Sequence, residues 1–591
     1  MDAQVAFRSN RTTKVDLKLR RILYPPVLLL ICWPRVCNYP YKTRREIDQP
    51  PTSTSSPEQV FRDFVSKLAF LFWTDISPAT IPACAVLNHL DIIGAVEYVF
   101  AFNNRSPSEL QQLKEKIQSV LDMFDEPPSS DERKKDILRN VLPYCVKRVK
   151  GYLNAFGRNL GECITSCARD TGTEATEIVA CLRTLLNATR KTLTSVEQGG
   201  GVNIAATEQL IWSVHSAYKS PVFKIVQDRA LKEERGKSST HWTELIHVTG
   251  RLMTYKQAID LCFMVRETWP QLFQDVHITM VQSDASAPQV LNTRALTAKE
   301  IIGKMTSDKP KLEELFASVD KLGDLGIKLD QEIKKEWSKT IKSKDICVHA
   351  EINLFQHLEM TEGGRRFFQG IEFIGSSKPP CKLCSYFFQV YPTDVEVRPS
   401  HRNLYGTWLM PDICPDLPST RGQMDSLEMG RKIAERLLGD LLQAVRARER
   451  DGGPHDSSNY STRRGPQSQQ FLEDMSHRTE NSDLPHETGL GETDTIDSWS
   501  RHGESSHVLG AMSTVRVQAS IDDMSRDMGS LSIRSGQPGT WRMRPSRGAQ
   551  SRGPAQMPCR TVVEIESDDD DGGGTLLFEG RGSLRTGIRR R

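Results

Sequence analysis

The chain has 591 residues, 38% of them hydrophobic, and a formal net charge of +3; this length predicts roughly two or three globular parts joined by linkers. The near-neutral charge neither supports nor excludes nucleic-acid binding, because binding depends on local basic patches. The thirteen cysteines are odd in number and irregularly spaced, which favours free thiols in a reducing, intracellular compartment over a disulfide framework.

Residues 1–56 are predicted to be a poorly ordered N-terminal segment and linker. Their most apolar stretch, Ile22–Trp33, is about 12 residues long, too short to span a bilayer. A signal peptide would have small residues after this stretch, whereas Pro34, Arg35 and Cys37 follow. We therefore interpret the stretch as a buried segment or a wrongly assigned N-terminus. We expect an unsecreted protein of the cytoplasm or nucleus, without a transmembrane segment.

Residues 57–310 are predicted to form a mainly helical domain. Ser56 and Gln59 have the types and spacing of a capping box at a helix start, and apolar residues follow at helical spacing. Thr297 and Glu300 form a second such pair. Because no residues in this range have a spacing that indicates chemistry, a packing or partner-binding role is expected.

Residues 311–450 are predicted to form an α/β domain, since strand candidates at Ile371–Ser376 and Asp394–Arg398 alternate with helical segments. A last amphipathic helix is expected over about residues 428–447. Residues 451–591 are rich in Ser, Gly, Arg, Asp and Pro. They are predicted to be disordered, because they cannot bury enough apolar surface to offset the entropy of ordering.

Three potential metal ligands stand out in the α/β region: His349, Cys381 and Cys384. One imidazole and two thiolates are a ligand set typical of zinc. Pro380 precedes the cysteine pair, so a helix can begin there, and the two cysteines would share its N-terminal face, where the helix dipole favours thiolates. Three protein ligands would leave the fourth tetrahedral position for water, as in catalytic zinc sites.

Glu351 lies two residues after His349, at the start of the same predicted helix, and would reach into the same pocket. Zinc lowers the pKa of a bound water toward about 7 and creates hydroxide at neutral pH. Glu351 would then act as a proton shuttle that takes a proton from the water and gives it to the ring nitrogen and the leaving amine.

The H-x-E and P-C-x-x-C motifs together resemble the zinc-dependent cytidine deaminase-like superfamily. Within it, the sequence resembles the fungal OTT_1508-like deaminases, which have a VHAE helix, an F-I-G-x-S-K-P-x-C-x-x-C segment and a later S-H-x-x-x-Y-x-x-W segment. Here Phe373–Cys384 reads FIGSSKPPCKLC, and Ser400–Trp408 carries the later pattern. The resemblance covers about residues 345–412.

The resemblance implies a three-layer α/β deaminase-like domain, zinc bound by the three ligands named above, and Glu351 as the catalytic residue. It implies hydrolytic deamination of a nucleobase, on a free nucleoside or in nucleic acid. The deaminase fold has a strand hairpin just before the H-x-E helix, but residues 297–343 look helical or irregular. Val276–Val281 is the best strand candidate upstream, so the hairpin is either separated from the helix by an insertion or missing.

Two alternatives to a catalytic zinc site are left open. A structural site would be closed by a fourth protein ligand, for which Cys347, His357 and Cys414 are candidates. A catalytically inactive, deaminase-like scaffold or interaction protein would keep zinc for folding alone.

Candidate substrate-binding residues lie in the later motif segment. His401, Tyr405 and Trp408 could line the pocket or grip a ribose or phosphate, and a purely structural role is equally open. Basic residues around the motifs, such as Lys378 and Arg398, could contact a phosphate backbone, although a charge cluster more often forms a solvated face.

The tail contains one short motif. Val562, Val563 and Ile565 precede the acidic run Asp568–Asp571. This resembles a SUMO-interacting motif, in which an extended apolar segment adds a strand to the partner sheet and the acidic run meets a basic patch. A solvated acidic stretch is the alternative.

Overall fold

One small mixed sheet of five strands, in the spatial order β3-β2-β1-β4-β5, organises the computed structural model of this mostly helical chain. The structure describes residues 17–41, 56–92, 94–125, 131–168, 172–199, 203–234, 241–283, 291–361, 366–412 and 426–451. The candidate SUMO-interacting residues and Cys414 lie outside these ranges, as does all of the predicted tail except Asp451.

The directions of the strands bring most of their carboxyl ends to one edge of the sheet. The strands are β1 (Pro82–Asn88), β2 (Val96–Phe102), β3 (Val276–Val281), β4 (Phe373–Ser376) and β5 (Glu396–Val397). β1 pairs antiparallel with β2 and with β4, whereas β3 is parallel to β2 and β5 is parallel to β4. Therefore β2, β3, β4 and β5 run in one direction and end at the same edge, which we call the carboxyl edge.

Helices make up most of the described residues. The α-helices are α1 (Leu17–Val36), α2 (Pro57–Leu71), α3 (Pro107–Asp122), α4 (Asp131–Val141), α5 (Val146–Cys167), α6 (Thr173–Gly199), α7 (Ile204–Tyr218), α8 (Pro221–Glu234), α9 (His241–Thr268), α10 (Ala298–Met305), α11 (Lys309–Asp320), α12 (Asp324–Lys342), α13 (Ala350–Met360), α14 (Lys382–Val390) and α15 (Ser426–Ala447). In the part of the chain that the structure describes, none of them combines the length and the apolar character that a membrane span needs.

The predicted helix starts are largely confirmed. The Thr297 hydroxyl accepts from the Glu300 backbone N–H while the Glu300 carboxylate accepts from the Thr297 backbone N–H, a complete capping box at α10. At α2 only half of the predicted box forms. The Ser56 hydroxyl accepts from the Gln59 backbone N–H, but the Gln59 side chain donates to Asp63 one turn later.

A strand hairpin, β1–β2, precedes the H-x-E helix at a long distance along the sequence. Strands β1 and β2 pair along their full length, and Asn103, which follows β2, is 247 positions from Ala350 at the start of α13. The strand predicted at Val276–Val281 is confirmed as β3. The sheet therefore takes strands from both predicted domain ranges, and the expected boundary near residue 310 divides one continuous sheet.

Helices cover both faces of this sheet, because alternate residues of a strand point to opposite sides. Cys84, Val86, Tyr98 and Phe100 belong to a hydrophobic core with residues of α2, α5 and α9. Their neighbours Ala83, Ala85, Val99 and Ala101 belong to a second core with residues of α1, α13 and α15. The insertion helices and the motif region thus pack on the same sheet from opposite sides.

The N-terminal segment was predicted to be poorly ordered, and this is wrong for residues 17–36. They form α1, in which Leu29, Cys32 and Trp33 are fully buried and which packs against α10, α12 and α15. The expectation of a buried segment at Ile22–Trp33 is confirmed. The helix could not be predicted because the stretch is apolar on all sides and contains prolines, which disfavour helix locally.

Gly375, in the FIGSSKPPC motif, marks a close approach between the sheet and α2. A Cβ atom at this position would lie 2.7 Å from backbone atoms of Val65 and of Ser66. Backbone atoms, unlike the end of a flexible side chain, can move away only if the whole helix moves. β4 delivers the chain to the cysteine pair, so this contact fixes where that pair begins.

Gly375→Ala should therefore lower the free energy of unfolding by about 1–3 kcal/mol, the range for overpacking a well-packed contact. The control is Gly303→Ala in α10, where a Cβ would meet nothing within 4 Å; it should be neutral or slightly stabilising, since alanine is the better helix former. Denaturant unfolding of both variants measures the difference. If Gly375→Ala and Gly303→Ala have the same free energy of unfolding, α2 does not press on β4.

Candidate metal centre

His349, Cys381 and Cys384 come together in space. Among the described residues they form the one group of at least three His, Cys, Asp or Glu side chains whose ligand atoms all lie within 4.8 Å of one another. The His349 Nδ1 is 3.6 Å from the Cys381 Sγ and 3.4 Å from the Cys384 Sγ, and the two sulfurs are 3.5 Å apart. Ligands predicted from motifs about thirty residues apart thus meet at one point.

The group forms where two helices begin side by side. His349 is the N-cap residue of α13, and Cys381 is the N-cap residue of α14. The Cys381 Sγ accepts the backbone N–H of Cys384 at 3.4 Å, as a capping side chain does. Helix N-termini present unpaired N–H groups and a positive dipole end. Both helices therefore favour negative charge on the cysteine sulfurs.

The charges within the group reinforce one another. Burial opposes ionisation of Cys381, but hydrogen bonds with Cys384 and His349 and the charge of His349 outweigh it and hold the pKa of Cys381 well below its usual range. Burial also opposes the charged imidazole, yet the neighbouring Cys381 raises the pKa of His349. Burial and the charge of Cys381 raise the pKa of Cys384 well above its ordinary value.

The donor atoms have the separations that zinc requires. With Zn–S and Zn–N bonds near 2.3 Å and 2.0–2.1 Å, tetrahedral geometry places two sulfurs about 3.8 Å apart and a sulfur and a nitrogen about 3.6 Å apart. The observed distances of 3.5 Å, 3.4 Å and 3.6 Å are close to these values. Both the donor types and their spacing therefore fit a zinc ion.

Two of the three candidates for a fourth protein ligand, Cys347 and His357, do not join the group. Neither Cys347 nor His357 supplies a ligand atom to it among the described residues. Cys347 is held by its backbone, which donates to the Thr407 carbonyl at 3.1 Å and accepts from the Leu409 N–H at 2.8 Å. Burial raises the pKa of its thiol to about 12.

Glu351 lies in the first turn of α13, beside the ligand group, and is 4% exposed. Burial raises the pKa of its carboxyl group to about 7, while the charges of His349 and Arg398 act in the opposite direction. The same carboxylate raises the pKa of both His349 and Cys384. A titratable acid is therefore buried within electrostatic range of the ligand group.

The later motif segment wraps around the cysteine turn. The His401 N–H donates to the Pro380 carbonyl at 3.2 Å, and the Lys382 N–H donates to the Asn403 carbonyl at 3.0 Å. The Tyr405 ring centroid lies 6.3 Å from that of His349 and 5.7 Å from that of His401. His401 and Tyr405 are half-buried next to the ligand group, as a pocket rim requires.

Trp408 occupies a different position from its two motif partners. It is fully buried, its main chain bridges to Cys347, and its indole lies close enough to Cys384 to lower the pKa of that thiol. Of the three predicted substrate-binding residues, Trp408 is therefore the one that is fully buried and lies beside Cys384.

Asn103 belongs to the site and was missed by sequence reasoning. It follows β2 at the carboxyl edge and is 2% exposed. Its Oδ1 accepts the Ala350 N–H at 2.8 Å, and its Nδ2 donates to the Pro78 carbonyl at 2.8 Å. Because the His349 side chain makes no capping bond, Asn103 caps α13 from the end of a distant strand. No local pattern could reveal a contact over 247 positions.

Comparison with known proteins identifies this part of the chain. Residues 348–412 match the model of the OTT_1508-like deaminase family, so this segment belongs to that family. The matched residues include the whole ligand group, Glu351 and the later motif segment, but not Asn103 or the first three strands. No curated protein and no solved structure matches the chain.

Two cysteine variants distinguish an open metal site from a closed one. Cys381→Ser should abolish stoichiometric zinc binding, because it removes a ligand atom, whereas Cys347→Ser should leave the zinc content near that of the wild type. Metal analysis of the purified proteins after dialysis measures both. If the two variants lose zinc equally, Cys347 is a fourth ligand and the site is structural.

Asn103→Ala should lower the free energy of unfolding by about 0.5–2 kcal/mol, the usual effect of removing a helix cap, and weaken zinc binding in a chelator competition. Asn103→Asp should restore part of the zinc affinity, since its carboxylate still accepts the Ala350 N–H at a helix N-terminus but cannot donate to the Pro78 carbonyl. The control is Asn104→Ala, at the exposed neighbouring position. Equal zinc affinities for all three variants would exclude a positioning role.

Proposed function

We propose that the protein, with its OTT_1508-like deaminase segment, is a zinc-dependent hydrolytic deaminase of nucleobases, acting on a free nucleoside or in nucleic acid. Its zinc would be held by His349, Cys381 and Cys384. The observation that carries the proposal is the convergence of one imidazole and two cysteine sulfurs at two adjoining helix N-termini, at separations that suit zinc. The family match over residues 348–412 supports the reaction class.

The proposed catalytic domain is a three-layer α/β deaminase-like unit interrupted by a helical insertion. The β1–β2 hairpin, β3, β4, α13 and α14 would be its core elements. Helices on both faces of the sheet and a metal centre at the carboxyl edge support this assignment. The helices α3–α9 between the hairpin and β3 would then be the insertion.

The reaction would replace an exocyclic amine on a nucleobase ring carbon by oxygen, with water consumed and ammonia released. A zinc ion at this centre supplies the Lewis acidity that activates water for attack. The Glu351 carboxylate, buried beside His349, would accept a proton from the attacking water. It would deliver that proton to the ring nitrogen and a second one to the departing amine.

The rim residues would bind the base. Tyr405 lies next to His349 and presents an aromatic ring on which a base could stack. His401 packs edge-on against Tyr405 and offers a hydrogen-bonding ring at the same rim. Trp408 would act indirectly, by holding the Cys347 and Cys384 segments in place.

Glu351→Gln tests the proposal most directly. The variant keeps the size of the side chain and should retain zinc, but its turnover should fall by about 10²–10⁴-fold, the usual contribution of a general acid–base group. Ammonia release is measured from cytidine, deoxycytidine, adenosine, guanine, single-stranded DNA and single-stranded RNA, with zinc quantified in each preparation. The control is Glu359→Gln, near the other end of α13, which should retain activity.

Two outcomes would contradict the proposal. A zinc-loaded wild type that releases ammonia from none of these substrates would favour the inactive scaffold that keeps zinc for folding. Unchanged turnover in Glu351→Gln would assign the proton transfers to another group.

A further inference from the structure

Lys382 lies between the two cysteine ligands in the sequence, and its side chain points into the protein. It is the first residue of α14 and is only 6% exposed, whereas lysine is almost never fully buried unless it is paired. Burying an ammonium group is costly without partners of opposite charge. The partners of Lys382 therefore show what its burial achieves.

Two carboxylates bind this ammonium group. The Lys382 Nζ lies 2.8 Å from the Asp440 Oδ2, in α15, and 2.6 Å from the Asp451 Oδ2, just after that helix. Tyr386, one turn further along α14, donates its hydroxyl to the same Asp440 carboxylate at 2.6 Å. We call these four residues the carboxylate clasp. The clasp holds the first turn of α14 against the C-terminal helix.

The main chain of the cysteine turn is held from a different segment. The Lys382 N–H donates to the Asn403 carbonyl at 3.0 Å, and the Pro380 carbonyl accepts the His401 N–H at 3.2 Å. Helix α14 has only nine residues, and a helix this short is not stable by itself. Its position is therefore set by these tertiary contacts.

Asp451 is itself fixed by contacts with the N-terminal segment. The N–H of the preceding Arg450 donates to the Pro40 carbonyl at 2.9 Å, and Tyr41 forms a parallel bridge with Arg450. The guanidinium carbon of Arg450 lies 3.4 Å from the centroid of the Tyr41 ring. The segments that follow α1 and α15 thus meet next to Asp451, and both lie outside the family match over residues 348–412.

We propose that Asp440 and Asp451 are positioning residues for the zinc site, acting through Lys382. By holding this residue they would keep the flanking Cys381 and Cys384 at the separation that zinc requires. Groups that orient metal ligands determine affinity as well as geometry. A contact that served packing alone would change the stability of the fold and leave the metal site unchanged. This positioning role rests on the zinc site of the proposed function and not on its reaction.

Zinc affinity of the full chain, measured by chelator competition, is the first test. Asp440→Asn and Asp451→Asn should each weaken zinc binding by about tenfold, the lower end of the effect of groups that support metal ligands. The matched control is Glu314→Gln, because Glu314 of α11 also anchors α15, through two hydrogen bonds from Arg446 at 2.7 Å. It should bind zinc as the wild type does.

A double-mutant cycle tests whether Asp451 acts through Lys382. If it does, Lys382→Met combined with Asp451→Asn should bind zinc no more weakly than Lys382→Met alone. Losses of affinity that multiply in the double variant would show that Asp451 acts through another contact and would overturn the proposed route. The unfolding midpoint of each metal-free variant verifies that it is folded.

The absorption spectrum of the cobalt-substituted protein reports the geometry of the ligands, which a loss of stability alone would not change. Asp440→Asn and Asp451→Asn should shift the cobalt bands, whereas Glu314→Gln should give the wild-type spectrum. Asp451 is the more exposed of the two acids, with 19% of its side chain exposed against 13% for Asp440. Its variant is therefore the one that least disturbs folding.

The positioning role and the proposed function can fail separately. Wild-type zinc affinity and cobalt spectrum in both Asp440→Asn and Asp451→Asn would overturn the positioning role and leave the proposed function intact. If the wild type binds zinc but deaminates nothing, while both variants bind zinc more weakly, the positioning role stands and the proposed function falls. A full chain that binds no zinc would contradict both.

Discussion

The candidate metal centre depends on the meeting of two helix N-termini at one edge of the sheet. β1 runs antiparallel to both β2 and β4, so the strands on either side of it end at the same edge. Asn103, just after β2, caps α13, and the turn after β4 leads into α14. Without β1 between them, His349 and the cysteine pair would begin their helices in unrelated places.

The helical insertion supports this arrangement and is more than an appendage to the sheet. Arg148 of α5 is fully buried and donates to the carbonyls of Phe70 and Trp73 at 3.3 Å and 2.9 Å, at the end of α2. Its guanidinium also lies 3.6 Å from the Trp73 ring centroid, a cation–π contact. The insertion thus holds α2, α2 presses on Gly375 in β4, and β4 leads to the cysteine turn.

The features that depend on local sequence patterns could be predicted from the sequence. The ligand group, the buried acid at Glu351 and the capping box at Thr297 each depend on residues in one short segment or on a recognised pair of motifs. The hairpin was not located, because β1 is buried along almost its whole length and so lacks the alternating pattern of a half-exposed strand. The role of Asn103 and the order of α1 arise from long-range contacts, for which one sequence contains no local signal.

Lys382 shows how a basic residue of the cysteine turn contributes to packing. Lys382 stands between the two cysteine ligands in the sequence, yet its ammonium is neutralised by Asp440 at 2.8 Å and Asp451 at 2.6 Å and fastens α14 to α15. Lys378 and Arg398 act electrostatically on His349 and Glu351. The cation closest to the ligands in the sequence is thus neutralised by two carboxylates and contributes to packing.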